Sequence, residues 1–281
     1  MSLSVFFIVL AAAAMHAGWN ALLKIRLEPF LAMVLIHLVG TVLMLPVLIY
    51  TGWPKAESMV WLAASTIIHV GYYFALAAAY DRADMGQVYP IARGSAPLMT
   101  ALLGVSVFGE KISLMSGLGI ALLALGIFVM SLRSAKDATH MDRKALLYAG
   151  LTAITITAYT ISDGIGARVS GDAIAYIAAL FVLDGLTLFV LAFFTRGWQG
   201  LKPMWSFVPQ GIAGGAMACG SYGIAIWAMT VAPIPLVAAV RETSVLWGAA
   251  IAVIFLKEPL RANRVVAACL IVAGLVMMRL Q

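Results

Sequence analysis

Residues 88–113 read VYPIARGSAPLMTALLGVSVFGEKIS, and residues 237–260 read VAAVRETSVLWGAAIAVIFLKEPL. Laid over each other at a constant offset of 148, they place Arg93 on Arg241 and Glu110 on Glu258. The same ungapped alignment of 83–132 with 231–280 holds nine identities, the others being Leu98/Leu246, Ala101/Ala249, Val105/Val253, Leu122/Leu270, Gly126/Gly274, Met130/Met278 and Leu132/Leu280. Apolar coincidences carry little weight in so hydrophobic a text. A matched arginine and a matched glutamate carry more, and the chain reads as two copies of one unit.

The rest of the sequence says what kind of unit. Of 281 residues, 63% are hydrophobic and 11% charged, and the mean hydropathy is +1.02. A soluble globule averages about 45–50% apolar and about 25% charged residues. Disorder, a fibre, a secreted disulfide scaffold and a soluble enzyme are excluded, which leaves a polytopic helical membrane protein. One helical span takes about 20 apolar residues, so the length has room for roughly ten spans and no soluble domain of ordinary size. The apolar runs are 3–23, 29–50, 58–80, 84–107, 114–132, 145–167, 173–195, 206–229, 231–256 and 264–280. The longest polar stretch, RSAKDATHMDRK at 133–144, divides five from five.

An odd number of spans per copy makes the second copy enter the membrane from the opposite side. The expected fold is therefore all-α and integral to the membrane, with ten transmembrane helices arranged as two inverted five-helix repeats. Residues 1–132 form the first, 133–144 the linking loop and 145–281 the second. Secondary transporters commonly use this plan, with the substrate near the midplane between repeats.

The net charge of +6 reflects topology and not nucleic acid, since no basic stripe with interleaved aromatics occurs. Twelve Lys and Arg fall in loops on one side, four on the other, and two inside spans. The positive-inside rule puts the richer side in the cytoplasm and both termini outside it. The expected location is the cell membrane, as a multi-pass protein of a bacterial inner membrane. The opening run has no Lys or Arg before its apolar core and leads into Trp19 and Asn20, so it reads as a retained first helix. Cys219 and Cys269 lie in apolar runs without a CxxC, and neither a disulfide nor a metal site is expected.

Arg93 and Arg241 fall near the middle of their spans. A central arginine costs about 2.5–3.5 kcal/mol on insertion scales unless it meets water or a counter-charge. A guanidinium fork holds a carboxylate, phosphate or phosphonate in bidentate fashion. One reading is an anion-recognising pair in a shared cavity. The other is structural, with Glu242, Asp163 or Asp184 as counter-charges. Glu242 lies about 100° around the helix from Arg241. It either binds a proton, as a carboxyl in a low-dielectric cavity can near neutral pH, or stands as the counter-charge of Arg93.

His16, Trp19 and Asn20 share one face of the first helix, and Tyr89 precedes Arg93 by one turn. Tyr72 and Tyr73 lie in the third span. Tyr159 and Asp163 pair at i, i+4 in the sixth, and Tyr222 and Trp227 belong to the eighth. These residues suit an amphipathic cavity, with interface-belt or packing roles as the alternative, notably for Trp19 and Trp227. His37 and His69 read as structural. Pro90 and Pro97 bracket Arg93, as Pro233 and Pro235 open the ninth span, and proline is tolerable there beside protein or a wet cavity. Gly211 and Gly215 form a GxxxG that reads as helix packing and only weakly as a dimer face. The GxG within DGIGARVSG (163–171) has neither the strand nor the helix of a dinucleotide fingerprint.

The stretches MHAGWNALLK (15–24), 88–113 and 237–260, with the paired endings GEK (109–111) and KEP (257–259), resemble the EamA-type branch of the drug/metabolite transporter (DMT) superfamily over essentially the whole chain. That resemblance implies secondary transport by alternating access, often export. Family substrates include amino acids and other metabolites, drugs, nucleotide sugars and lipid-linked sugars. It also implies a cavity lined by the first, third and fourth helices of each half. HAGWN and PIARGSAP resemble a sub-branch associated with phosphonate utilisation.

The expectation is a non-enzymatic carrier of a small anionic or zwitterionic metabolite such as an amino acid, organic acid or phosphonate. Its expected substrate residues are Arg93, Arg241, Tyr89, His16, Asn20, Tyr72, Tyr159 and Tyr222, with Glu242 and Asp163 as proton-coupling or gating groups. No catalytic residue, metal or cofactor is expected. The expected partners are the substrate and the lipid bilayer, with a homodimer left open and no nucleic acid. The alternatives are a lipid-linked-sugar or head-group flippase of the same fold, and an accessory membrane protein without a transport cycle.

Overall fold

The computed structural model describes residues 1–22, 27–80, 82, 85–131, 143–254, 257 and 262–280, and among these every regular element is helical. In chain order they are α1 (Leu3–Leu22), α2 (Pro29–Thr51), α3 (Ala56–Tyr80), α4 (Met85–Ser106), α5 (Leu114–Ser131), α6 (Arg143–Val169) and α7 (Ala173–Leu201). A 3-10 turn over Lys202–Phe207 leads to α8 (Val208–Val231), α9 (Ile234–Arg241), α10 (Ser244–Ile254) and α11 (Ala262–Arg279). Among the described residues, seven helical stretches are long and apolar enough to cross a membrane. Large apolar side chains such as Ile49, Ile67, Leu102 and Phe194 stand mostly exposed, as a surface against lipid requires. Nearly all of the expected inter-repeat loop (133–144) lies outside the described residues, as does Glu258 of the second paired ending.

Two of the expected spans differ from the helices observed. The seventh run continues past its expected end as α7 and bends at Gly197, whose φ of 65° and ψ of 173° are non-helical and suit glycine. The ninth run, expected as one span over 231–256, is broken into α9 and α10. At the break the backbone tightens to three-residue bonds: Glu242 N–H reaches the Ala239 carbonyl at 3.1 Å and Thr243 N–H the Val240 carbonyl at 3.1 Å. The Thr243 hydroxyl also donates to the Val240 carbonyl at 2.7 Å, a local bond that competes with the helical ladder.

The chain forms two compact units. One comprises Met1–Phe6, Ile67–Ile161 and Val231–Gln281, the other Phe7–Thr66 and Ser162–Thr230. Each draws helices from both sequence halves.

In the first unit α5 packs on α4 and on α11, and α4 packs on α9. The α5–α11 contact is a backbone approach. A Cβ on Gly119 would fall 2.7 Å from the Gly274 carbonyl oxygen, and one on Gly126 would fall 2.9 Å from the Ala267 carbonyl oxygen. Gly119 and Ala267 are equivalent under the 148-residue offset, as are Gly126 and Gly274. Each contact is thus the other with its partners exchanged. Residue 119 meets the equivalent of 126, and residue 126 the equivalent of 119, so the two helices run antiparallel.

In the second unit α2 packs on α7. Gly185 of α7 leaves no space for a Cβ beside Thr41 and the His37 carbonyl, and the Thr41 hydroxyl reaches the Phe181 carbonyl at 3.3 Å. The GxxxG glycines of α8 seat α2: a Cβ on Gly211 would lie 2.6 Å from Leu35, and one on Gly215 would lie 2.6 Å from Val39. The motif is therefore used within the chain. Asp172 caps α7, accepting from Ile174 N–H at 2.8 Å. Tyr176, Leu180, Leu62 and Ile226 close the core of this unit.

Candidate functional site

In the first unit, α4 carries Arg93 and the α9–α10 break carries Arg241 and Glu242. All three are buried, at 6%, 3% and 3% exposure. Arg93 Nη1 donates to Glu242 Oε1 at 3.0 Å. Of the two roles open to Glu242 in the sequence, counter-charge to Arg93 is the one this geometry displays. Its other oxygen, Oε2, is buried with no hydrogen-bond partner among the described residues. Removing an ion from water costs several kcal/mol, and an incompletely bonded one is costlier to keep.

A cavity of about 10 Å³ adjoins this group, about the space of one water-sized group. Arg241 and Glu242 line it together with Thr100 of α4 and Thr160 of α6, between Ala96, Pro97, Ile156 and Ala238. The Thr100 hydroxyl donates to the Ala96 carbonyl at 2.8 Å, so its lone pairs remain as acceptors. That carbonyl also accepts from Thr157 of α6 at 3.3 Å, tying α6 to α4. The formal charges of Arg93, Arg241 and Glu242 sum to +1.

The same unit holds an aromatic group. Tyr159 is stacked on His69 with centroids 4.3 Å apart and meets Tyr72 edge-on at 5.7 Å. His69, which the sequence left as a structural histidine, thus joins two expected site residues. Its i, i+3 spacing to Tyr72 on α3 was the available signal. Thr100 and Thr160 had no comparable signal, because threonines are common in apolar helices. Tyr89 lies on α4, but its side chain is outside the described residues.

The remaining expected residues belong to the second unit. Asp163 of α6 is fully buried. Its Oδ1 accepts from the Tyr176 hydroxyl of α7 at 3.2 Å, and its Oδ2 from the Tyr222 hydroxyl of α8. Tyr176 escaped the sequence reading, since thirteen residues of separation carry no local periodicity. On α1, Trp19 Nε1 donates to His16 Nδ1 at 3.2 Å, which sets the imidazole as its Nε2–H tautomer. Asn20 Nδ2 donates to the His16 carbonyl at 2.7 Å. The structure therefore brings together Arg93, Arg241 and Glu242, then Tyr72 and Tyr159, then Asp163 and Tyr222, and finally His16 and Asn20.

These features describe a multi-pass helical membrane protein with a buried ionic centre. The profile of the EamA-like transporter family matches the chain twice, over residues 3–132 and 143–280. The chain belongs to that family, a branch of the DMT superfamily, and so to a family of transporters and not of enzymes. A solved structure, described only as the crystal structure of a protein, is similar in fold: the TM-score is 0.77 over 99% of this chain and 98% of the other, at 18% identity. No curated protein matches the chain.

Proposed function

We propose that this protein is a secondary active carrier, working as an exporter, for a small anionic or zwitterionic metabolite. The observation that carries the reading is the buried centre of Arg93, Glu242 and Arg241 beside a cavity. An acidic ligand group would be held by Arg241 through its guanidinium fork. Glu242 is the coupling and gating carboxylate. While paired with Arg93 it ties α4 to the α9–α10 break, and a proton on Glu242 releases that tie so that Arg93 joins the acid. Asp163 is assigned no coupling role, because two phenols already occupy its oxygens.

Alternating access would use a fold of two inverted repeats. The double family match and the exchanged glycine contacts of α5 and α11 support that reading, because antiparallel equivalent helices require a two-fold axis across them. A broken helix beside the ionic centre also suits a carrier, since transporters place discontinuous helices at substrate sites.

The test is substrate counterflow in proteoliposomes, with candidate acids and zwitterions offered to wild type and to Arg241→Ala. The expected result is flux by the wild type and a loss of about a hundredfold or more in the variant, which still purifies as a folded monodisperse protein. A charge-assisted pair supplies energy of that order. Undiminished flux through Arg241→Ala overturns the proposal.

A further inference from the structure

The end of α7 carries a surface that the proposed carrier cycle leaves unused. From Ala173 to Arg196 the helix rises about 36 Å at 1.5 Å per residue, a little more than the bilayer hydrocarbon of about 30 Å. The bend at Gly197 therefore falls at the membrane boundary. The side chains change along the chain as a boundary requires. Phe193 and Phe194 stand exposed on the last turns of the span. Arg196 follows, and its guanidinium is already engaged, bidentate to Glu28 at 2.8 and 3.3 Å and over the Phe30 ring at 5.5 Å.

Past the bend the chain makes one α turn and then the 3-10 turn, which rests on α2. Leu201 and Met204 are fully buried on the inner side of this segment. Trp198, Lys202 and Trp205 lie on the outer side. The first two are separated by one α turn and the last two by one 3-10 turn, so all three share a face. The two indole centroids are 6.1 Å apart. Both indoles are about half exposed, at 49% and 42%. Lys202 is exposed and makes no ion pair among the described residues. The segment 198–207 holds no Asp or Glu, so the face is positive. Tryptophan is favoured at the level of the lipid head groups, and a lysine there is drawn to anionic lipid.

We infer that the Trp198–Lys202–Trp205 face binds one anionic phospholipid, as a resident lipid and not a transported one. The Lys202 ammonium takes the phosphate, and the two indoles flank the glycerol and the upper acyl chains. The lipid pins the connection between α7 and α8 against α2. A zwitterionic lipid brings its own cation beside the same phosphate, which Lys202 repels, and that repulsion sets the selectivity.

The experiment reads the two indoles directly. The whole protein is reconstituted in phosphatidylcholine vesicles carrying a rising fraction of acyl-brominated phosphatidylglycerol or of acyl-brominated phosphatidylcholine. The signal is the tryptophan emission that the double variant Trp198→Phe/Trp205→Phe loses relative to wild type. Brominated phosphatidylglycerol should reach half-maximal quenching at about a fivefold lower fraction than brominated phosphatidylcholine, the scale of one lysine's attraction to an anionic membrane. Lys202→Gln should bring the two lipids level, and Lys202→Arg should keep the preference. Lys202 is exposed, so neither substitution disturbs the core. Equal quenching in the wild type overturns the inference, as does a preference that survives Lys202→Gln. Loss of the preference to inorganic phosphate, beyond that to sodium chloride at the same ionic strength, assigns the face to a soluble phosphate compound. A dimer that Lys202→Gln dissociates assigns it to a second copy of the chain. Either result overturns the lipid assignment.

Discussion

Asp163 and Glu242 are both buried carboxylates, at 0% and 3% exposure, and their surroundings differ in kind. Asp163 gives each oxygen to a phenol from another helix, so one side chain joins α6, α7 and α8. A ligand can reach it only by displacing protein. Glu242 gives one oxygen to Arg93, its other oxygen is buried without a donor among the described residues, and the residue lines a cavity. Depth and charge are alike in the two cases. On the proposed reading, the number of fixed donors separates a structural joint from a group that meets the ligand.

The largest effect is expected in a double-mutant cycle on Arg93 and Glu242. Removing either member alone leaves the other charge buried without its partner, at a cost of about 3–5 kcal/mol. Arg93→Leu and Glu242→Leu should therefore each lower the unfolding midpoint strongly. The double variant removes both charges and should recover most of the loss, because the coupling term then drops out. Transport should stay absent in all three. Recovery of transport in the double variant would make the ion pair purely structural, and Glu242 would then be no different from Asp163.

The sequence made one side of the comparison visible and hid the other. Arg93 and Arg241 stood out because an arginine in an apolar span is costly and the 148-residue offset supplied it twice. The offset also foreshadowed the α5–α11 contact, since Gly126/Gly274 is among its identities. What stayed hidden are features set by tertiary contact. The break at Glu242–Thr243 carries a threonine hydroxyl turned onto its own helix, but Thr155 makes a bond of the same spacing inside the unbroken α6, so the residue type alone did not mark it. The two compact units also cut across the sequence halves, because periodicity marks which face of a helix is apolar but not which helix covers it.

The next effect in size falls on Asp163. Asp163→Ala leaves the Tyr176 and Tyr222 hydroxyls without their acceptor and opens a small void. Each buried unsatisfied group costs about 1–3 kcal/mol, so the loss should reach about 2–5 kcal/mol in a denaturant or thermal unfolding series. The affinity for the transported substrate should stay within about threefold of wild type in the protein that remains folded. A loss of affinity beyond tenfold with an unchanged midpoint would move Asp163 from joint to ligand site and erase the contrast with Glu242.

The smallest effect resolves the joint into its two arms. Tyr176→Phe and Tyr222→Phe each delete one hydroxyl and leave one oxygen of Asp163 without its donor. Both should destabilise by about 1.5–3 kcal/mol, the range for a hydrogen bond to a charged group. They should not be equal. Tyr176 is fully buried and sits against Gly166, where a Cβ would fall 2.6 Å from its ring. Neither water nor a neighbouring side chain can move in to replace its hydroxyl. Tyr222 is only half-buried, with Phe181 edge-on at 6.5 Å, and water can approach the oxygen it releases. Tyr176→Phe should therefore cost more than Tyr222→Phe by about 1 kcal/mol, within the spread that burial gives such bonds. Their double variant should approach the loss of Asp163→Ala, since all three then break the same joint. A reversed order, with Tyr222→Phe the costlier and the only one to change transport, would show that the half-buried arm faces the ligand.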